Sequence, residues 1–271
     1  MGIDDLVNKG FLIVNKTDSS FQEEKTIIVV GVARGGTSIV SGVLHHLGIF
    51  MGDKSHPPVF EDVRLSAAYE GKSDESFDDV VGDYNSRYAV WGWKRPAIIK
   101  DIHRVKTKVR NPHFIYIFRD VFSIANRNRI SMHTDVKSGI AKAIKDYALI
   151  AGFLEKDDSP SLLLSSDKSL IFRQEVVNEI SDFCGINTTD EKIQKAISFI
   201  SEKPVFYLDS SRITKTNGTI NKSFLRTGVL RGWAKNIHTK NTVQIEVRAD
   251  DKLVATLNAD TYFQHLKEIC I

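Results

Sequence analysis

The segment from Thr26 to Gly48, TIIVVGVARGGTSIVSGVLHHLG, constrains the fold of this chain more than any other. It begins as an apolar, β-branched run, breaks into a glycine-rich turn at 31–36 and continues with the apolar spacing of a helix. Such a run predicts a buried strand of a parallel sheet over 27–30, followed by a turn whose backbone amides converge on an anion. We expect Thr37 or Ser38 to cap the helix, whose positive end faces the turn.

The length and the net charge of the chain limit the possible number of domains and the possible partners. The 271 residues are enough for one large α/β domain with a well-filled core, or for one domain and a small appendage. The 37 basic and 34 acidic residues leave a net charge of +3, which is too balanced to indicate a nucleic-acid partner. It suits an anionic ligand that is held in a local positive pocket.

The cysteines and the hydropathy pattern bear on location. Cys184 and Cys270 lack the spacing of a zinc site or of a disulfide framework, so we expect no metal and a reducing compartment. No stretch has the apolar length of a membrane span, and the N-terminus lacks a signal pattern, which favours a cytoplasmic location. Four Asn-x-Ser/Thr sequons keep a truncated luminal domain as the alternative.

The glycine-rich turn differs from the loop of a nucleotide triphosphatase at one position. Gly31 and Gly36 have the spacing of a Walker A loop, but Thr37 stands where such an enzyme carries the lysine that reaches the β- and γ-phosphates. The cation lies inside the loop instead, at Arg34. A tight strand-to-helix turn that binds nothing is the structural alternative.

The run Arg-Gly-Gly-Thr-Ser over 34–38 resembles the 5′-phosphosulfate loop of sulfotransferases, which take the sulfuryl group from 3′-phosphoadenosine 5′-phosphosulfate (PAPS). The resemblance implies a P-loop-like α/β fold and a donor site in this loop. Its members here are Gly31, Arg34, Gly35, Gly36, Thr37 and Ser38.

A second motif lies at 114–131, FIYIFRDVFSIANRNRIS. An apolar strand ends at Arg119-Asp120 and passes directly into a helix, which puts Arg119 at the edge where ligands bind in open α/β sheets. The pattern resembles the sulfotransferase motif for the donor's 3′-phosphate, in which an arginine and a serine two helical turns later grip that group. Arg127 replaces the family serine here, and a guanidinium suits phosphate well. Ser123 is the fallback, and a plain surface salt bridge of Arg119 is the structural alternative.

A third motif, WKRP, closes the apolar run 88–93 with Lys94. It resembles the Lys-Asp-Pro triplet of many sulfotransferases, whose lysine reaches the transferring sulfuryl group, although Arg95 replaces the aspartate. We expect a helix over 97–109 after the proline. Lys100 precedes a genuine aspartate but falls inside that helix, so we interpret it as solvated.

The acceptor hydroxyl needs a base. In similar enzymes a carboxylate shortly after the phosphosulfate loop, or a histidine, takes this role. Glu61 is the first candidate, placed by a proline-containing loop over 52–58 that closes over the acceptor. His56 and Asp62 are the others. A purely structural role for Glu61 at a helix N-terminus is the alternative.

The rest of the chain continues the α/β pattern and then changes character. We expect a strand at 162–164 and helices at 135–154, 173–184 and 191–200, with a short apolar patch at 11–14 that adds a strand or packs on the surface. The runs 242–247 and 253–257 predict a β-hairpin, part of a small module similar to one on some bacterial enzymes of surface-polysaccharide assembly.

These patterns predict a sulfotransferase domain over 1–225 and a small β-rich module over 226–271. Arg226-Thr227-Gly228 followed by Trp233 resembles the RKGxxGxW segment of cytosolic sulfotransferases, which implies a 3′-phosphate role for Arg226 or else a plain linker. The predicted activity is sulfuryl transfer from PAPS to a hydroxyl of a carbohydrate acceptor without a metal. A P-loop kinase and a noncatalytic nucleotide-binding module remain the competing hypotheses.

Overall fold

The computed structural model describes residues 7–15, 24–201, 216–221, 231–236, 243–249 and 252–259. The chain forms two compact units, Met1–Lys203 and Pro204–Ile271. The predicted domain boundary after residue 225 lies outside the described residues.

The first unit alternates strands and helices, as the sequence predicts. Its strands are β1 (Phe11–Val14), β2 (Lys25–Val30), β3 (Val90–Lys94), β4 (Pro112–Phe118) and β5 (Ser161–Ser165). Its α-helices are α1 (Thr37–Leu47), α2 (Val63–Tyr69), α3 (Phe77–Arg87), α4 (Ile102–Lys108), α5 (Val121–Met132), α6 (Val136–Leu154), α7 (Ser166–Ser169), α8 (Arg173–Cys184) and α9 (Asp190–Ser201).

The five strands form one sheet in the order β1-β5-β4-β2-β3. Strands β2, β3, β4 and β5 run parallel, and β1 adds an antiparallel edge. The carboxyl ends of the four parallel strands therefore meet at one edge of the sheet. This arrangement confirms the predicted α/β class with a mostly parallel central sheet.

Helices cover both faces of the sheet, which gives three layers. In β2, Ile27 and Val29 face a core built with α1, α8 and α9, while Ile28 and Val30 face the core built with α2 to α6. All four side chains are buried. Because both faces are covered, the strand reads as a continuous apolar run rather than as an alternating one.

The helices differ from the predictions at several places. The helix expected over 97–109 is a 3₁₀-helix, Pro96–Asp101, followed by the short α4, so Lys100 lies in the 3₁₀ turn and is exposed. Helix α3, which the sequence analysis did not predict, begins with a capping box between Ser76 and Asp79. The cap of α1 is Gly36, not Thr37 or Ser38, because the chain enters this helix in the left-handed conformation that glycine favours.

The second unit contains two antiparallel strand pairs. Strands β6 (Thr216–Asn221) and β7 (Arg231–Asn236) form one pair, and β8 (Val243–Ala249) and β9 (Lys252–Ala259) form the other. The second pair confirms the predicted hairpin. Across the described ranges of both units, no helix combines the length and the hydropathy that crossing a membrane requires.

Candidate functional site

The loop 31–36 and Arg119 lie next to each other at the carboxyl ends of the neighbouring strands β2 and β4, and we call the space between them the crevice. Helix α1 leaves β2 toward one face of the sheet, whereas α5 and α6 follow β4 on the opposite face. Adjacent parallel strands whose connections diverge in this way form a topological switch point, where open α/β sheets bind ligands. The loop 31–36 lines one side of the crevice and Arg119 lines the other.

The loop turns sharply and leaves amides directed at the crevice. Gly35 donates its N–H to the Val32 carbonyl at 2.7 Å, and Gly36 precedes α1 with φ of 101°. The Ile39 N–H donates to the Gly36 carbonyl at 2.8 Å, but no side chain caps this helix, which leaves the N–H groups of Thr37 and Ser38 for an anion. The helix dipole adds a partial positive charge at the same point.

Close packing explains why the turn is built from glycine. A Cβ atom on Gly36 would lie 2.5 Å from Ser166 Oγ, and one on Gly35 would lie 2.7 Å from the Val32 carbonyl oxygen. A Cβ on Gly31 would lie 2.8 Å from Ile117 Cγ2. The loop therefore packs directly against the ends of β4 and β5, and only backbone lines it at these three positions.

Arg34 stands at the tip of the loop in the left-handed conformation, with φ of 69°. This conformation is uncommon and costly for a residue other than glycine, and such strain concentrates at functional sites. The Arg34 side chain is exposed, and no carboxylate of the described residues pairs with it. Its guanidinium is thus available at the mouth of the crevice.

Arg119 bridges the crevice from the end of β4. Its Nη1 donates to the Arg34 carbonyl oxygen at 3.2 Å, and its Nε is a buried donor without a hydrogen-bond partner. Asp167, after β5, lies 3.8 Å from that Nε, which is ion-pair distance but too long for a hydrogen bond. The guanidinium is therefore fixed in direction and keeps an unused donor.

Tyr147 of α6 holds the backbone of Arg119. Its hydroxyl accepts the Arg119 N–H at 2.8 Å and donates to the Arg119 carbonyl at 2.9 Å. Burial raises the pKa of Tyr147, so the hydroxyl stays protonated and can donate. Sequence reasoning missed both Tyr147 and Asp167; the position of Asp167 directly after the strand next to β4 was the signal that could have found it.

Ser123 and Arg127 lie one turn apart on α5, so their side chains share a face of this helix. Asp120 caps the helix and accepts the Ser123 N–H at 2.7 Å. The Arg127 side chain is exposed and has no ion pair with any residue that the structure describes. Both residues lie within three helical turns of Arg119, and the Arg127 guanidinium adds a second positive charge to that of Arg119.

Lys94 and Glu61, predicted separately as a catalytic cation and a base, form an ion pair. Lys94 Nζ lies 3.1 Å from Glu61 Oε2, and the Lys94 side chain is only 2% exposed. Arg95 donates to Glu61 Oε1 and to Glu70, the residue that follows α2. Burial lowers the pKa of Lys94, and the adjacent carboxylate offsets part of this effect. The register pairs Lys94 with Val29, two residues before Gly31, so the ion pair lies at the same edge as the loop.

Asp62 is a structural residue in this arrangement. It is fully buried and caps α2, accepting the N–H groups of Arg64 and Leu65, each at 3.2 Å. It also accepts the Lys54 N–H at 3.0 Å and the Tyr84 hydroxyl at 2.6 Å. Four donors thus occupy its two oxygens, all of them from the protein itself.

His56 lies exposed in the loop between α1 and α2. Only its carbonyl group is engaged, by the Phe60 N–H at 2.9 Å. The first half of this loop is anchored, because Asp53 pairs with Arg64 and with Arg87, each at 2.7 Å. The described contacts thus bring Glu61 to Lys94 and do not bring the His56 ring to either of them.

Arg226, the remaining candidate for the 3′-phosphate, lies outside the residues that the structure describes. Among the described residues, no group of three or more His, Cys, Asp or Glu side chains is arranged to hold a metal ion.

Solved structures of sulfotransferases are similar to this chain. The sulfotransferase domain from the curacin biosynthetic pathway is 15% identical over 64% of this chain and 77% of its own length, with a TM-score of 0.47. The sulfotransferase domain of the Synechococcus PCC 7002 olefin synthase is 14% identical over 64% and 78%, with a TM-score of 0.47. Sulfotransferase STF1 from Mycobacterium tuberculosis H37Rv is 12% identical over 64% and 70%, with a TM-score of 0.45. No protein-family model matches the chain, and no curated protein matches it.

Proposed function

We propose that this chain is a PAPS-dependent sulfotransferase that transfers a sulfuryl group to a hydroxyl of a carbohydrate acceptor. The observation that carries the proposal is the crevice between β2 and β4. A glycine loop at a helix N-terminus faces Arg119, and the guanidiniums of Arg34 and Arg127 have no carboxylate partner among the described residues. Helix amides and unpaired guanidiniums together suit a ligand with two separate anionic groups.

The residues of the crevice fit the two ends of such a donor. The amides of the loop and of Thr37 and Ser38, with Arg34, would hold the 5′-phosphosulfate. The unused Nε of Arg119, together with Ser123 or Arg127, would hold the 3′-phosphate. Thr37 in place of the Walker lysine argues against binding of a nucleoside triphosphate in the manner of a kinase.

The chemistry follows from charge that moves during transfer. The acceptor oxygen forms a bond to sulfur while the bond from sulfur to the donor phosphate breaks, and the electron pair of that bond goes to the phosphate oxygen. Arg34, the loop amides and Lys94 would stabilise the negative charge that grows there. The acceptor hydroxyl proton goes to a base, for which we propose Glu61 with His56 as the second candidate.

Glu61 suits the role of base better than the other described carboxylates at this edge of the sheet. Asp62 is saturated with donors, and Asp167 sits 3.8 Å from Arg119 on the donor side. Glu61 is 17% exposed and adjacent to Lys94, so it combines access with the proposed catalytic cation. A carbohydrate acceptor is supported only by the resemblance of the C-terminal module and by the habit of similar enzymes.

Calorimetric titration tests the donor, and labelled transfer tests the reaction. Adenosine 3′,5′-bisphosphate should bind and ATP should not compete with it, with or without Mg²⁺. ³⁵S from labelled PAPS should pass to a member of a glycan panel in the presence of EDTA. Glu61→Gln should retain donor binding and lose about a hundredfold to ten-thousandfold in transfer, the usual contribution of a positioned base.

The outcomes separate the competing functions. Magnesium-dependent binding of ATP would favour a kinase. Tight binding of PAPS without transfer to any acceptor would favour a noncatalytic module. Full transfer by Glu61→Gln together with loss in His56→Ala would move the role of base to the histidine.

A further inference from the structure

The Lys94 ammonium group has N–H donors without acceptors among the described residues, which indicates a binding site for an anion. An ammonium group has three N–H donors. Glu61 Oε2 is its acceptor at 3.1 Å, and two of the three donors have no acceptor among the residues that the structure describes. A buried charge with unmet donors is costly, so an anion that reaches Lys94 gains binding energy from it.

Glu61 has a second cation that keeps it in place without Lys94. Its other oxygen, Oε1, accepts from Arg95. Arg95 is itself fixed, because its second terminal nitrogen donates to Glu70 near the end of α2. The planar fork of arginine suits such a bridge between two carboxylates. Lys94 can therefore leave Glu61 while Arg95 still holds the carboxylate.

We propose that donor binding transfers Lys94 from Glu61 to the sulfuryl-bearing end of the donor, and that Arg95 is the positioning residue that holds Glu61 after this exchange. The inference rests on the proposed function. Before the donor arrives, Lys94 occupies Oε2 of Glu61 and Arg95 occupies Oε1. After the exchange, Oε2 is open to accept a hydrogen bond from the acceptor hydroxyl. The exchange thus couples access to the base to the presence of the donor.

The exchange predicts an unusual effect of Glu61→Gln on donor affinity. In the wild-type protein the donor must compete with Glu61 for Lys94, and in the variant this competition is removed. PAPS should therefore bind about 5- to 150-fold more tightly to the variant, the range typical of coupling between two sites. Adenosine 3′,5′-bisphosphate lacks the sulfuryl group, and its affinity should stay the same.

Glu75→Gln is the matched control. It removes the same charge from the chain, but Glu75 pairs with Arg64 at 2.6 Å and does not contact Lys94. Both ligands should bind this variant as they bind the wild type. Calorimetry of the two ligands against wild type, Glu61→Gln and Glu75→Gln measures the ratio of affinities directly, and melting temperatures verify that each variant is folded.

A second measurement does not depend on the folding of Glu61→Gln. In a crystal structure of the wild-type protein with PAPS, Lys94 Nζ should lie beyond hydrogen-bond distance from Glu61 Oε2, while the contact between Arg95 and Glu61 persists. Arg95→Met should lower kcat about tenfold to a hundredfold with the KM for PAPS unchanged, and Arg95→Lys should recover part of that loss.

The results distinguish failure of the exchange from failure of the proposed function. If wild type binds PAPS selectively but Glu61→Gln binds it no more tightly, or if the donor-bound structure retains the 3.1 Å contact, the exchange is wrong and the function stands. If wild type does not bind PAPS, the proposed function is wrong and the exchange falls with it. An increase in the KM for PAPS without loss of kcat in Arg95→Met would make Arg95 a donor-binding residue instead.

Discussion

Gly36, at the N-terminus of α1, allows a quantitative test of how the loop packs. Gly36 has φ of 101°, and a Cβ there would lie 2.5 Å from Ser166 Oγ and 3.1 Å from Ile117 Cδ1. The left-handed backbone costs an alanine about 1 to 2 kcal/mol, and overpacking adds about 1 to 3 kcal/mol. Gly36→Ala should therefore lower the free energy of unfolding by about 2 to 5 kcal/mol, as measured by urea denaturation.

The same substitution at Gly82 provides the control. Gly82 lies in α3, and a Cβ there would meet no atom within 4 Å. Gly82→Ala should stabilise the protein by about 0.5 to 1 kcal/mol, because alanine loses less conformational freedom in a helix. If Gly36→Ala matched Gly82→Ala in stability and bound adenosine 3′,5′-bisphosphate as wild type does, the described packing of the loop against β4 and β5 would be refuted.

Three further predictions address other parts of the site and the core. Arg119→Ala should weaken binding of PAPS about tenfold to a hundredfold in calorimetry. The substitution should weaken binding of adenosine 5′-phosphosulfate much less, since that ligand lacks the 3′-phosphate. Equal losses of affinity for both ligands would contradict the assignment of Arg119 to the 3′-phosphate. Asp62→Asn should lower the free energy of unfolding by about 1.5 to 3 kcal/mol, because it loses charge-assisted hydrogen bonds; unchanged stability with lost transfer would instead make Asp62 the base. Burial lowers the pKa of His113, so below about pH 6.5 the unfolded chain takes up a proton first, and the free energy of unfolding should fall as the pH falls. His113→Phe should reduce this slope in urea titrations between pH 5 and 8, and an unchanged slope would contradict the reasoning.

The central sheet could be predicted from the sequence because local signals and burial agree there. The apolar run of β2 and its glycine turn predict a strand and a tight turn into a helix within a few residues, and the structure has both. The same holds for β4 and Arg119. Helix α3 was missed because its buried positions, Phe77, Val80, Val81 and Tyr84, are separated by acidic and small residues that read as a loop.

The cap of α1 shows where residue preference alone misleads. Threonine and serine are good capping residues, so Thr37 and Ser38 were natural candidates. The structure places Gly36 at the cap because Ser166 and Ile117 leave no room for a side chain there. That constraint comes from β4 and β5, which lie about 80 and 130 residues further along the chain, and no local pattern encodes it.

The ion pair between Lys94 and Glu61 depends on a path of the chain that no local signal describes. Phe50 forms a parallel bridge with Trp91, so the segment after α1 follows the edge of β3 and brings Glu61 to Lys94. A buried lysine requires an acid, but the chain holds 34 acidic residues, and only this path selects which one. Two residues that the sequence assigns to separate roles thus form one electrostatic unit. Their single-substitution effects will contain the cost of leaving the partner charge unpaired, and for that reason they cannot be added to apportion catalysis between them.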